Sequence, residues 1–271
     1  MGHRVIVPSP VGYCDSESPL PLEYYTFKRI ATDLIALLSS LGISKAIYIG
    51  HDWGSLIVQR VTLWHPDHVI AVGLVCVPFV APLKTYIPLE EIVKRQPNFA
   101  YQLWFAGPES ERVLSSPQAI EKFLKIIFRV KGDEPVPWNT GGNMLAAKVG
   151  DLSLGRVWEN QDVWGYYLRC FTRTGSMRGP LNYYKTRELN FRDELELLEA
   201  GKVKVTCPAM FIGAKQDRAL PPSTWKGQDW VPQLEQHTVD QGHWCLVEDG
   251  GKQVQPILQK WVSKISKSAK L

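Results

Sequence analysis

Three residues far apart in the chain could share one reaction. Gly50-His-Asp52-Trp-Gly54 lies between a β-branched run and a helical pattern, which places an acid on a sharp strand-to-helix turn whose flanking glycines relieve crowding. The plain alternative is a turn whose Asp52 caps the following helix. Downstream, Phe211-Ile-Gly-Ala-Lys-Gln-Asp217 sets a second acid just after a strand, and Gln241-Gly-His243-Trp244 sets a histidine in a loop before the last helix. A carboxylate at such a turn implies other chemistry than a hydroxyl. Ser attacking a saturated carbon would leave an ether that water does not readily cleave. Asp leaves an ester, which a histidine-activated water can hydrolyse at the carbonyl. An alkylating substrate is therefore expected.

These residues need a scaffold that brings them together. Arg4-Val-Ile-Val-Pro8 reads as a short buried strand, and Tyr25 to Leu41 carries apolar residues at Ile30, Leu34, Leu37, Leu38 and Leu41, a helix stopped by Gly42. Lys45 to Gly50 reads as a second strand and Leu56 to His65 as a second helix. This alternation predicts an α/β fold, a mostly parallel sheet with helices on both faces. From Pro78 to Lys202 the strand rhythm gives way to helical pattern at Leu89 to Lys94, Ala119 to Val130, Val163 to Thr172 and Asn182 to Leu198, broken around Pro135 and Gly141. Val203 to Gly213 returns to strand, His237 to Val239 marks another, and Gln253 to Ser266 is an amphipathic helix. The expected organisation is a core of residues 1–79 and 201–271 with a helical cap, 80–200, inserted between its halves.

Composition narrows the reading. At 271 residues and 45% hydrophobic the chain can bury a full core, and a charge of +4 from 31 basic and 27 acidic residues gives no dense basic face for nucleic acid. Ten Trp, ten Tyr and nine Phe beside 19 Pro suggest an aromatic-lined apolar cavity. Cys14, Cys76, Cys170, Cys207 and Cys245 lack any C-x-x-C spacing, so neither a disulfide framework nor a zinc site is indicated, and a reduced compartment is expected. The longest apolar stretch, Val69 to Leu83, is broken by Gly73, Pro78 and Pro82, too short for a membrane span. The first residues show neither a signal-peptide pattern nor the Ser or Thr at position 6 that myristoylation wants. His65-Pro-Asp-His68 has a metal-like look but no third ligand at useful spacing, and Lys260, Lys264, Lys267 and Lys270 read as a solvated helix face.

The pentapeptide at Asp52 resembles the nucleophile elbow of α/β-hydrolases, and the chain order of nucleophile, acid and histidine is theirs. Two further segments, Asn98-Phe-Ala-Tyr101-Gln102-Leu-Trp-Phe and Arg178-Gly-Pro-Leu-Asn-Tyr-Tyr184-Lys, are similar to those that supply two tyrosines over the active site in soluble epoxide hydrolases. The resemblance is to that branch of the fold and covers nearly the whole chain. It implies hydrolysis of an epoxide to a vicinal diol through an alkyl ester on Asp52, without metal or organic cofactor. Tyr101 and Tyr184 would protonate the departing oxygen, His243 would activate water, and Asp217 would orient His243. The backbone N–H of Trp53 would serve the oxyanion, with the Trp53 indole and Gln102 at the pocket. Tyr183, Tyr166 and Tyr167 are lower-ranked donors because they miss the family's positions. A dehalogenase, which shares the Asp elbow but lacks the tyrosine pair, is the runner-up.

The sequence departs from this family in one serious respect. No His-Gly-x-Pro occurs, although family members carry that loop, preceded by further strands, ahead of the strand equivalent to Arg4–Pro8. The expectation is either a start internal to a longer product or a crippled relative in which Trp53 alone serves the oxyanion, so that the chain alkylates and stalls; a non-catalytic remnant is the rival from outside the enzymes. Ser9 and Cys14 stand where the family often has Asp and Gly, away from the chemistry. The partners expected are a small apolar epoxide and water, with no nucleic acid; a homodimer stays open. Ala269-Lys270-Leu271 resembles a peroxisomal address, so cytoplasm or peroxisome, with an import receptor, is the expected setting.

Overall fold

The structure is a computed structural model that describes residues 2–130, 132, 133, 155 and 160–269. The breaks expected around Pro135 and Gly141, and the tail residues Lys270 and Leu271, lie outside the described residues. Helix α1 (Phe27–Ser40) starts where the Thr26 side chain accepts from the Arg29 N–H and ends just before Gly42, whose φ of +72° is easy for glycine. Strand β1 (Ala46–His51) runs into α2 (Trp53–Trp64), and β2 (Val69–Val75) follows. Among the described residues seven helices follow before the chain returns to the sheet: α3 (Leu89–Arg95), α4 (Tyr101–Ala106), α5 (Pro108–Val113), α6 (Pro117–Ile127), α7 (Gln161–Thr172), α8 (Arg178–Lys185) and α9 (Arg187–Glu199). The chain returns through β3 (Ala209–Ala214) and β4 (Leu234–Val239) to α10 (Val254–Ala269).

The four described strands are parallel in the order β1-β2-β3-β4. Side chains alternate across a strand, so the same sheet feeds two cores. Val72 and Leu74 of β2 with Phe211 of β3 pack against Ala31 and Leu38 of α1 and Val61 of α2. Ala71, Val75, Met210 and Ile212 instead meet Trp261 and Ile265 of α10. The insertion is tied to this frame by a buried ion pair, Arg60 Nε of α2 to Glu194 of α9 at 2.8 Å, with the same guanidinium donating to the Val80 carbonyl. No helix among the described residues is long and apolar enough to cross a membrane.

Arg4–Pro8 is not a strand: Val5 and Val7 are 79% and 87% exposed, and β-branched residues hold a strand only where a neighbouring ladder pairs with them. β2 was not anticipated, because a strand buried on both faces has no alternation to betray it. The helix expected over Asn182 to Leu198 is two, α8 and α9, broken at Thr186, and α4 and α5 were missed. The strand expected over Val203 to Gly213 is regular only from Ala209.

Candidate active site

The site begins with a strained turn. Asp52 adopts φ 52°, ψ −123° between β1 and α2, a conformation that costs a non-glycine residue free energy and persists only because its surroundings impose it. Its side chain makes no capping bond to α2, so the plain helix-cap reading fails. The two flanking glycines differ in purpose. A Cβ at Gly50 would lie 2.1 Å from the Gly54 carbonyl oxygen, whereas one at Gly54 would meet nothing within 4 Å. Gly50→Ala is therefore expected to abolish soluble expression or lower the melting temperature sharply, while Gly54→Ala melts within a few degrees of wild type. Equal melting of the two variants would contradict this account of the turn.

The turn aims Asp52 at the histidine loop. His243 Nε2 lies 3.2 Å from Asp52 Oδ2, and His243 Nδ1 lies 2.7 Å from Asp217 Oδ2. The other oxygen of Asp217 accepts from the N–H groups of Ala219 and Leu220 at 2.8 and 2.9 Å, which locks the carboxylate toward the imidazole. Burial alone would lower the proton affinity of His243, but hydrogen bonds and negative charge from Asp217 and Asp52 outweigh it and raise its pKa to about 10. Burial would likewise raise Asp52, yet the hydrogen bond and charge of His243, with the Trp53 N–H, prevail and hold it below the usual carboxylate range. The resting site is thus a carboxylate beside an imidazolium.

Across the cavity stand the two tyrosines from α4 and α8. Tyr101 and Tyr184 have ring centroids 6.4 Å apart, and both phenols are pushed up, chiefly by burial and further by the Asp52 charge, so they stay protonated. Gln102 Nε2 donates to the Tyr101 hydroxyl at 3.4 Å, leaving that hydroxyl's own proton to point elsewhere. The cavity, about 270 Å³, is bounded by Asp52, Tyr101, Tyr184 and His243, with Ile126 and Val130 forming an apolar wall. The Trp53 indole does not line it; the indole packs against Phe27, Tyr183 and Tyr184, because the reversal at Asp52 turns the next side chain into that cluster. Tyr183 donates to the Val11 carbonyl, Tyr166 is exposed and Tyr167 packs on Phe128, so none of the lower-ranked tyrosines lines the cavity.

Sequence reasoning missed four contributors. His51 Nε2 lies 2.7 Å from the His243 carbonyl oxygen, and burial with the His243 charge lowers its pKa to about 4, so the ring is neutral. The Glu248 carboxylate accepts from the Gly242 N–H at 2.8 Å and anchors the loop. Tyr13 lies close enough to Asp52 to feel its charge, and the Asn98 side chain donates to the Ala219 carbonyl. Only His51, adjacent to Asp52 in the chain, carried a local signal. Among the described residues the donor atoms of His51, Cys76 and His243 converge within 4.8 Å of one another, but both His243 nitrogens are committed to carboxylates. His65 and His68 bond separately to Thr32 and the Ser44 carbonyl.

A family model for the alpha/beta hydrolase fold matches residues 1–250. The chain belongs to this family. This α/β-hydrolase is 31% identical over 272 residues to bifunctional epoxide hydrolase 2 of Rattus norvegicus, covering 96% of this chain and 47% of that protein. It is 30% identical over 220 residues to epoxide hydrolase 3 of Siraitia grosvenorii, covering 80% of this chain and 67% of that one. Among solved structures, epoxide hydrolase A from Mycobacterium thermoresistibile aligns with a TM-score of 0.69 at 25% identity, covering 92% of this chain and 79% of that chain. The α/β-hydrolase spans about half the length of the mammalian relatives it matches.

Proposed function

We propose that the chain hydrolyses epoxides to vicinal diols through an ester on Asp52, and that a small apolar epoxide is the substrate. The observation that carries this reading is a carboxylate on a strained turn, 3.2 Å from a histidine and sharing one cavity with two protonated phenols. The named epoxide hydrolases among its relatives support it. A halide leaves as a stable anion and has no use for phenolic donors, which disfavours a dehalogenase.

An Asp52 oxygen attacks a ring carbon, the carbon–oxygen bond breaks, and the alkoxide takes a proton from Tyr101 or Tyr184. The resulting phenolate recovers a proton from the His243 imidazolium, whose hold on it weakens once Asp52 is a neutral ester. Neutral His243, kept in orientation by Asp217, then takes a proton from water while the hydroxide adds to the ester carbonyl. The Trp53 N–H faces the oxyanion. Collapse expels the diol, and the site returns to its charged pair with one water consumed.

This sequence gives a pH signature. His243 is raised to about 10 in the resting site by both carboxylates, and alkylation removes one of them, so its pKa must fall on ester formation. Ring opening, which needs ionised Asp52 and an available proton, is expected to hold level across the range in which Asp52, held below the usual carboxylate range, is ionised and the phenols keep their protons. Ester hydrolysis, which needs neutral His243, is expected to rise with pH through a value well below 10. Single-turnover fluorescence, with Trp53 against Tyr184 as reporter, separates the two phases; identical pH profiles would rule the scheme out.

A further inference from the structure

Beneath the histidine loop lies a pair of reactive side chains that the proposed hydrolysis does not use. Cys76 follows β2 and Cys245 follows His243 by two residues; both are buried, with their sulfurs 3.7 Å apart. The Cys76 thiol donates to the His243 carbonyl oxygen at 3.3 Å, the same oxygen that His51 holds. A change at this thiol pair therefore reaches the base through two links, the hydrogen bond to its carbonyl and the two-residue tether from Cys245.

We propose that Cys76 and Cys245 form an oxidation site, which a small hydroperoxide converts to a disulfide that misplaces His243 and arrests ester hydrolysis until a thiol reductant restores it. The arrest rests on the epoxide-hydrolase reading above; the oxidation site does not. The two thiols are unequal. Contact with Cys76 and the positive charge of His243 pull Cys245 below the ordinary thiol range against the effect of burial, while contact with Cys245 and burial push Cys76 up. Cys245 is thus the nucleophile. Its thiolate attacks a peroxide oxygen, the O–O bond breaks, and the released alkoxide or hydroxide takes up a proton, leaving a sulfenic acid. The Cys76 sulfur then attacks the sulfenic sulfur, forming the S–S bond as the hydroxyl departs with the Cys76 proton as water. Two thiols are oxidised, and one hydroperoxide is reduced to alcohol and water. Both sulfurs are buried, so the oxidant has to be little larger than water and to enter by transient opening of residues 241–247, which form neither strand nor helix.

Bond formation has a geometric consequence. A disulfide needs its sulfurs at about 2.05 Å, so the pair must close by roughly 1.7 Å. Cys76 also ceases to donate to the His243 carbonyl. Displacements on the order of 1 Å in a catalytic group cost about a hundred-fold in rate.

The test is graded hydrogen peroxide treatment, alkylation of the remaining thiols, and peptide mass mapping without reduction. A Cys14→Ser background removes the separate Cys14–Cys170 thiol contact near the protein surface. The expected result is a cross-linked Cys76–Cys245 peptide two mass units lighter than its parts, appearing in step with a ten-fold or greater fall in ester-hydrolysis rate. Dithiothreitol reverses both. Cys245→Ala, or Cys245→Val should the alanine variant melt early, keeps its own untreated rate through the same oxidation. If Cys76 and Cys245 remain alkylatable after Cys170 has been oxidised, the proposal is overturned; if the disulfide forms and hydrolysis continues unchanged, the arrest is overturned. The peptide map needs no turnover, so a chain that forms the bond and never makes a diol refutes the hydrolase reading while leaving the oxidation site standing.

Discussion

In His243→Gln, one equivalent of a small apolar epoxide adds to the chain and stays there. Glutamine cannot take a proton from water, so the ester on Asp52 forms and is not hydrolysed. Intact mass gains the mass of the epoxide, digestion places the adduct on the peptide containing Asp52, and steady-state diol formation falls by about 10³-fold or more. Asp52→Ala is expected to take up no epoxide and to lose turnover by a similar or larger factor, since among the described residues no other carboxylate on the cavity wall sits on the turn opposite the phenols. An adduct elsewhere, or turnover surviving in Asp52→Ala, would remove Asp52 from the mechanism.

The second large effect belongs to the phenols. Tyr101 and Tyr184 enter the cavity from separate helices, 6.4 Å apart between ring centres, so one can serve when the other is lost. Each single Phe variant is expected to slow ring opening by roughly ten to a thousand-fold, and the double variant to bring it close to background. The hydrolysis phase, which needs no phenol, should change little in the same variants. Wild-type alkylation in the double variant, or alkyl chlorides turned over as fast as epoxides, would hand the site to the dehalogenase reading.

The three side chains that meet at the cavity were legible because each sits at a strand-to-loop junction that local pattern marks: glycines around Asp52, an apolar strand before Asp217, Gln-Gly before His243. What holds them was not legible. Glu248 on the Gly242 N–H and Asn98 on the Ala219 carbonyl are ordinary polar residues whose value lies in where distant chain arrives, and one sequence carries no such signal. The fold divides likewise. Amphipathic α1 and α10 have one wet face and announce themselves, whereas β2, apolar on both faces, was noticed only as an apolar stretch. Arg4–Pro8 failed the other way, since its residue types suit a strand and no ladder receives them.

Asn98, three residues before Tyr101, holds the turn that orients Asp217, and on the opposite side the Trp244 indole N–H donates to the Ile127 carbonyl at the end of α6, at 2.7 Å. The lid is thus bolted to the two loops that carry the acid and the base. Moving these helices away from the sheet would break the same two hydrogen bonds that hold the loops of Asp217 and His243. For the epoxide hydrolysis proposed above, the width of the cavity mouth between these fastened segments, more than the reactivity of the ring, is the expected selector of substrates.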